Sequence, residues 1–162
     1  MDVMLSESER EQFIPENINL FKLFRNIKYV WEKDYSWINI NLNINKELEY
    51  TSAKDIFRVI FDNLILNSIQ QNDDQSSLKI NINIEKKGKF LYMLYSDNGK
   101  GLATKYLNDP MRIVEVHETS RKGGHGIGMW IVNNTITTTG GNIEKIDGKN
   151  GFNIEFLLGD RI

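Results

Sequence analysis

Apolar and polar residues recur along this chain with two different periods, which predict where helices and strands lie. Helical spacing runs over 18–31 and again over about 53–71, and each stretch indicates an amphipathic helix. Strict alternation over 37–45 puts isoleucine and leucine on one face and mostly asparagine on the other, as in a strand with one face in solvent. A last run, 126–139, is compatible with a helix that stops at two glycines.

Two further regions predict β-hairpins. Residues 78–97 read as two strands joined at Lys-Lys-Gly-Lys, which places Gly88 in the turn, and the chain closes with a second hairpin turned by Asp-Gly-Lys-Asn-Gly. Between them, 98–125 has no persistent period and carries glycines at both ends, so we expect a long loop that is either a functional lid or disordered. The polar residues 1–16 predict a tail, or the remnant of a preceding helical segment.

The order of these elements predicts the fold class. Helix, strand, helix, two strands, long loop, helix and two strands suit an α+β fold, a two-layer sandwich with helices on one face of a mixed, mostly antiparallel sheet. At 162 residues the chain is long enough for one domain with its own core, which we expect over 17–160. Thr51 and Ser52, with Asp55 three residues after Ser52, come close to a capping box for the second helix.

Composition narrows the classes of function. The net charge of −2 has no basic excess, which argues against nucleic-acid binding. Without cysteine and with two histidines, the chain has no disulfide or thiolate metal site, and a multi-histidine metal site is not expected. No apolar run approaches the roughly 20 residues of a membrane span. We therefore expect no direct membrane contact and a cytoplasmic location, alone or as the cytoplasmic portion of a larger membrane-bound receptor.

Two asparagines interrupt the apolar run of the second predicted helix. Asn63 and Asn67 stand four residues apart, so their side chains share one helical face. A buried amide without a partner costs roughly 1–3 kcal/mol, so the pair implies either a hydrogen-bond network or a ligand. Mg²⁺ keeps most of its waters and takes few protein ligands besides phosphate oxygens, so one or two amide oxygens are enough to hold it.

The segment Ser-Asp-Asn-Gly-Lys-Gly-Leu lies at the end of a predicted strand and suggests a site that binds a flat base. Asp97 stands at the strand end, with Gly99 and Gly101 after it. A carboxylate there can accept a hydrogen bond from an exocyclic amine, while the glycines let a flat ring approach the backbone. An ordinary Asp-Asn-Gly turn is the alternative interpretation of the same residues.

A second glycine-rich segment opens the last predicted helix. Its glycines uncover backbone N–H groups at the positive end of the helix dipole, which is an arrangement that binds anions, most often phosphate. Arg121 and Lys122 stand immediately before these glycines and would add positive charge next to the same anion. A flexible linker between loop and helix is the alternative, since a lone glycine pattern is weak evidence.

The three motifs in this order resemble the GHKL ATP-binding family of gyrase-type topoisomerases, heat-shock chaperone ATPases, histidine kinases and mismatch-repair ATPases. The resemblance extends over roughly 17–158. It implies ATP and Mg²⁺ as ligands, with Asn67 and its neighbour Asn63 at the metal. It also implies that Asp97 receives the adenine amino group and that Gly101 lines the base.

The resemblance further implies an ATP lid over 102–123 and assigns no catalytic residue. The nucleotide contacts that it implies are the residues in and beside the three motifs: Asn63, Asn67, Gln70, Asp97, Gly99, Gly101, Leu102, Thr119, Ser120, Arg121, Lys122, Gly124, His125, Gly126, Ile127 and Gly128.

Asn63 distinguishes between branches of the family. The hydrolysing members resemble one another in carrying a water-activating glutamate at this place, whereas an asparagine cannot take a proton. The chain is therefore most similar to the catalytic domain, called HATPase_c, of a two-component sensor histidine kinase. Thr119, Ser120 and Arg121 before the glycines are similar to the end of the kinase lid. The resemblance implies transfer of the ATP γ-phosphate to a histidine on a dimerisation and histidine-phosphotransfer helical hairpin outside this chain, in the same gene or a neighbouring one, and then to a response regulator.

The chain also departs from the kinase pattern. Gln70 stands where kinases commonly carry a lysine, and Val114 stands where the lid usually has an aromatic residue. His117 and His125 both lie in the expected lid region, and neither has a His-Glu or His-Asp context on a predicted helix. Neither is therefore expected to be the phospho-acceptor. Two alternatives remain open: a nucleotide-gated protein-binding regulator of the same family (an anti-sigma-like kinase or an ATP-sensing clamp), and a catalytically silent domain.

Overall fold

The structure, a computed structural model, describes residues 15–115 and 128–159. Its helices and strands, in chain order, are β1 Glu16–Asn19, α1 Leu20–Asp34, β2 Ile38–Ile44, β3 Glu49–Ser52, α2 Lys54–Gln71, β4 Leu78–Lys87, β5 Phe90–Asp97, α3 Gly128–Thr138, β6 Asn142–Asp147 and β7 Asn153–Leu158. Two short 3₁₀ helices, Thr104–Tyr106 and Pro110–Val114, follow β5.

Five strands form the main sheet in the order β2-β4-β5-β7-β6. β2 runs parallel to β4, and each of the other neighbouring pairs is antiparallel. Buried residues alternate with more exposed ones along β4 and β5, so one face of the sheet carries the core and the other is open. This confirms the predicted α+β class, with helices on one face of a mixed, mostly antiparallel sheet. In the described ranges, no helix has the length and apolar character needed to span a membrane.

An aromatic cluster fixes the helices over the sheet. Phe24 of α1 meets Phe57 and Phe61 of α2 edge-on, with ring centroids 6.0 and 4.7 Å apart. Phe61 in turn contacts Tyr95 of β5 at 6.3 Å and Phe156 of β7 at 6.0 Å. All five rings are fully buried, and such pairs add about 0.5–1.5 kcal/mol each beyond the burial of their area. This packing sets α2 over the end of β5, where the candidate site lies.

Helix α1 also covers the outer edge of β2, which is an edge strand of the sheet. Glu32 accepts the backbone N–H of Ile40 at 2.7 Å, and the Lys28 ammonium donates to the carbonyl of the same residue. Lys28 and Glu32 also form an ion pair of 2.7 Å on one face of the helix. These contacts occupy backbone groups that would otherwise be open to another strand.

The sequence pattern misses a small antiparallel sheet formed by β1 and β3. It predicts a tail up to residue 16 and a helix from residue 18, whereas Ile18 lies in a strand and Asn19 caps the helix. The side-chain oxygen of Asn19 accepts the N–H of Lys22 at 2.9 Å, so α1 begins at Leu20. Strands of four residues are too short to display a period, which explains the error. Residues 1–14 of the expected tail lie outside the described residues.

The predicted capping box of α2 is wrong. Ser52 pairs with Glu16 as the last residue of β3, and the N-cap is Ala53, which has no side chain that could cap the helix. The strand pairing therefore places the hydroxyl one residue too early to act as the cap. The predicted extent of this helix, about 53–71, agrees closely with Lys54–Gln71.

The described first half of the predicted loop is folded rather than free. Tyr106 and Ile113, one from each 3₁₀ helix, are fully buried in the core, and Val114 is buried as well. The second 3₁₀ helix packs against α3. Only the part of the expected lid up to residue 115 can be described, and that part is anchored because its apolar side chains enter the core.

Helix α3 ends at Thr138, just before the two glycines that predict its end. Its buried residues are Met129, Val132 and Ile136. Trp130 and Asn134, which the spacing of the sequence puts on neighbouring rows of this helix, are exposed. The methionine and valine row is the one that packs against the sheet and α2.

Candidate functional site

A series of polar residues follows α2 from its middle to its end. Asn63 is half-buried, and Asn67, Ser68 and Asn72 are buried. Contacts from this series reach the end of β5 and the start of α3, so one helix connects all three sequence motifs. Gln70, by contrast, is exposed.

The Asp97 carboxylate at the end of β5 is 6% exposed and held by three donors. Its Oδ1 accepts the N–H of Gly99 at 2.9 Å and that of Phe152 at 3.0 Å, and its Oδ2 accepts the Ser68 hydroxyl at 2.6 Å. A carboxylate has about four lone-pair sites. The three described donors therefore leave about one acceptor site, which suits the exocyclic amine of a base.

The glycines after Asp97 allow parts of the protein itself to approach closely. Gly101 has φ +76°, and a Cβ there would run into the carbonyl oxygen of Gly148, which also accepts the N–H of Leu102 at 3.2 Å. A Cβ on Gly99 would overlap the side chain of Asn72. The side-chain oxygen of Asn72 accepts the backbone N–H of Lys100 at 2.9 Å. Packing within the protein thus accounts for both glycines, and their contact with a base stays a prediction.

Buried hydroxyls stand behind Asp97. Tyr95, two residues earlier on the same face of β5, is fully buried, with its hydroxyl 2.6 Å from Ser68 Oγ and 3.1 Å from the Leu64 carbonyl oxygen. Burial and, after it, the charge of Asp97 raise the pKa of Tyr95 well above its ordinary value, although the Ser68 hydrogen bond lowers it. Sequence reasoning misses both residues. Two signals in the sequence could have found them. Ser68 directly follows Asn67, and Tyr95 stands two residues before Asp97, so the side chains of Tyr95 and Asp97 lie on the same face of the strand.

Asn63 lies beside the first residue of α3. Its amide nitrogen donates to the Val59 carbonyl at 2.6 Å, which directs Oδ1 away from the backbone of its own helix. A Cβ built on Gly128 would stand 2.8 Å from that Oδ1. Since the N-terminal end of a helix carries partial positive charge, an amide oxygen suited to a cation lies next to N–H groups suited to an anion.

The donor set fits a magnesium ion that arrives with phosphate. Across residues 15–115 and 128–159, no cluster of three or more His, Cys, Asp or Glu side chains is able to hold a metal. A cation here would rely on the amide oxygens of Asn63 and Asn67, together with water and ligand oxygens. Mg²⁺ accepts that arrangement, since it keeps several waters and needs few protein ligands.

Among the predicted contacts that fall within the described residues, all except the exposed Gln70 come to one region. Asn67 precedes Ser68, which holds Asp97; Asn63 meets Gly128; and Gly99, Gly101 and Leu102 line the loop after β5. The other predicted contacts lie outside the described residues: Thr119, Ser120, Arg121, Lys122, Gly124, His125, Gly126 and Ile127. His117 lies there as well.

A family model matches most of the chain. The model, described as Histidine kinase-, DNA gyrase B-, and HSP90-like ATPase, matches residues 52–160. This span includes all three motifs and every residue of the candidate site. Among curated proteins, none matches the sequence significantly.

Solved structures with a similar fold are histidine kinases. The catalytic domain of histidine kinase ThkA is 19% identical with a TM-score of 0.73, and the match covers 91% of this chain and 96% of that one. The mycobacterial sensor histidine kinase MprB is 14% identical, with a TM-score of 0.71 and coverage of 92% and 100%. The Acinetobacter baumannii histidine kinase AdeS is 15% identical, with a TM-score of 0.71 and coverage of 96% and 72%. The chain belongs to the histidine kinase-, DNA gyrase B- and HSP90-like ATPase family, as an ATP-binding domain with the fold of histidine kinase catalytic domains.

Proposed function

We propose that this chain is the catalytic domain of a protein-histidine kinase. It binds ATP with Mg²⁺ and transfers the γ-phosphoryl group to a histidine on a helical hairpin outside the chain, which then supplies a response regulator. Membership of the ATPase family supports ATP as the ligand. We place this activity in a domain spanning 17–160 that works in the cytoplasm, where ATP is available.

The observation that carries the proposal is Asn63. The hydrolysing members that this chain resembles carry a glutamate at this place, and that glutamate activates water. An amide has no basic site, and the nitrogen of Asn63 already donates to Val59. Transfer to a neutral imidazole needs no such base in the ATP site, because one ring nitrogen already offers a lone pair.

The transfer step assigns a role to each motif. The acceptor nitrogen forms a bond to the γ-phosphorus while the bond from that phosphorus to the bridging oxygen breaks, and ADP leaves with the electron pair. Asp97 holds the adenine amine through its remaining acceptor site, and the start of α3 at Gly128 faces the phosphates. Asn63 and Asn67 would hold Mg²⁺, which when bound neutralises the charge on the phosphate oxygens.

Calorimetric titration with Mg²⁺–ATP tests the binding half of the proposal. We expect the wild type to bind and Asp97→Asn to lose at least about thirtyfold in affinity, because the amide can turn a donor toward the base's own donor. Asp74→Asn is the matched control: it removes an exposed carboxylate in the turn after α2 and should leave affinity unchanged. Urea unfolding establishes that each variant is folded. A wild type without affinity, or an Asp97→Asn variant with full affinity, contradicts the assignment.

Labelling with γ-³²P-ATP tests the transfer half. The chain is incubated with a purified histidine-bearing hairpin from the same gene or a neighbouring one. Transfer to histidine gives a phosphoramidate, which acid releases and alkali preserves. An acid-stable phosphoester on a partner serine would instead favour the anti-sigma-like alternative. ATP binding without any labelled partner would favour an ATP-sensing clamp or a silent domain.

A further inference from the structure

Three side chains are joined in a line of two short, buried hydrogen bonds that ends at the candidate base-binding carboxylate. Ser68 Oγ of α2 lies between two side chains of β5, 2.6 Å from the Tyr95 hydroxyl and 2.6 Å from Asp97 Oδ2. The residues are 0%, 1% and 6% exposed for Tyr95, Ser68 and Asp97. At such burial each short oxygen–oxygen contact needs its own hydrogen, since bulk water is not there to supply one.

The number of hydrogens sets the direction of this line. An ionised carboxylate only accepts, so the single hydroxyl hydrogen of Ser68 points to Asp97. The contact between Tyr95 and Ser68 then requires the hydrogen of Tyr95. The Leu64 carbonyl oxygen is a second acceptor for the Tyr95 hydroxyl, but at 3.1 Å it is farther away than Ser68 Oγ, and it also accepts an N–H from four residues later in the helix. The line therefore runs from Tyr95 to Ser68 to Asp97.

We propose that Tyr95 and Ser68 are positioning residues that keep Asp97 an acceptor and thereby select a nucleotide base with an exocyclic amine over one with a carbonyl in its place. The inference rests on the proposed role of Asp97 in nucleotide binding and names what controls the selectivity of that site. It adds two residues on the protein side of the carboxylate, away from any ligand: Ser68 contacts Asp97, and Tyr95 contacts Ser68.

The surroundings of Asp97 explain why the line affects selectivity. Gly99 and Phe152 hold Oδ1, and Ser68 holds Oδ2, so the remaining lone pair has a fixed direction. An amine donates to it, whereas a carbonyl would put acceptor against acceptor in a buried place. Without the Ser68 hydroxyl or the Tyr95 donor that orients it, Oδ2 is held less firmly, so the remaining lone pair no longer has one direction and discriminates less between the two bases. The raised pKa of Tyr95 agrees, because the hydroxyl then remains a donor.

The test compares adenosine diphosphate, whose base carries an exocyclic amine, with inosine diphosphate, whose base carries a carbonyl at the same position. Calorimetry on the whole chain should give tighter binding of the adenosine form to the wild type. We expect Tyr95→Phe to lower the ratio of the two affinities about tenfold and Ser68→Ala to lower it at least as much. Tyr50→Phe is the matched control: it removes a buried hydroxyl that donates to the Gly159 carbonyl at 2.6 Å and should not change the ratio.

Ser68→Thr retains a hydroxyl and should retain the wild-type ratio, which keeps the test decisive if Tyr95→Phe fails to fold. An unchanged ratio in Tyr95→Phe and Ser68→Ala, or an equal loss of affinity for both nucleotides, overturns the inference. In that case, loss of binding in Asp97→Asn alone would leave the proposed nucleotide site standing. A wild type that binds neither nucleotide overturns the inference and the proposed function together.

Discussion

Gly101 and Gly88 are two glycines with similar backbone angles and different surroundings. Gly101 has φ +76°, and Gly88, in the turn between β4 and β5, has φ +61°. A Cβ on Gly101 would run into the carbonyl oxygen of Gly148, whereas no atom lies within 4 Å of the corresponding position on Gly88. The pair therefore separates the cost of a left-handed backbone from the cost of overlap.

We expect Gly88→Ala to lower the free energy of unfolding by about 1 kcal/mol, the cost of placing a Cβ at positive φ. Gly101→Ala should lower it by about 2 kcal/mol more, because the loop after β5 must move away from the turn between β6 and β7. Urea unfolding measures both. Equal losses for the two variants would show that the close approach at Gly101 costs nothing.

At the residue scale, the sequence reveals polar side chains at positions where the surrounding pattern predicts apolar ones or a strand end. Asn63 and Asn67 stand out because they are amides in an apolar run, and Asp97 stands out because it ends a strand before glycines. Ser68 and Tyr95 do not stand out, because a serine in a helix and a tyrosine in a strand are ordinary residues. Their importance comes from the 2.6 Å contacts that link them to Asp97.

At the element scale, α1 does more than bury an apolar face. Its Glu32 accepts the N–H of Ile40 on the outer edge of β2, with both members of the Lys28–Glu32 pair about one-third exposed. A second ion pair, Lys87 with Glu85 in β4, is 3.4 Å long and more than half exposed. Burial and the backbone partner should make the first pair matter for stability and the second not.

We expect Glu32→Gln to lower the free energy of unfolding by about 1 kcal/mol and to speed hydrogen exchange of the Ile40 amide. Glu85→Gln, the matched control, should change stability by less than about 0.5 kcal/mol, as exposed pairs do. Urea unfolding and amide exchange provide the two measurements. Similar losses in both variants, with exchange at Ile40 unchanged, would contradict the protective role of Glu32 at this edge.

The longer elements follow from periodicity and the shorter ones do not. Helices α1 and α2 and strands β2, β4 and β5 each show several repeats of their period, so their existence and approximate bounds are predictable. β1 and β3 have four residues each, and pairing between them rather than local pattern makes them strands. That pairing also moved the N-cap of α2 to Ala53.

At the scale of the whole molecule, ligand binding and stability are linked. A ligand that binds only the folded state at one hundred times its dissociation constant adds about 2.7 kcal/mol to the free energy of unfolding. For a domain of this size, that corresponds to a rise of about 5–11 °C in the midpoint of thermal unfolding. We expect Mg²⁺–ATP to produce this rise in the wild type and less than about a third of it in Asp97→Asn, whose affinity should be at least about thirtyfold lower. Removal of Mg²⁺ with a chelator should reduce the rise, and an equal rise in both proteins would place the nucleotide elsewhere.

The sequence by itself determined the helix and strand periods, the order of the three motifs and the chemical types they carry, because these are local properties of the chain. Only the tertiary structure decided that β2 pairs in parallel with β4, that Tyr106 and Val114 enter the core, and that Ser68 reaches Asp97. Ser68 and Asp97 are 29 positions apart. Their hydrogen bond exists because aromatic packing between α2 and the sheet brings the two side chains together, and no local pattern encodes that distance.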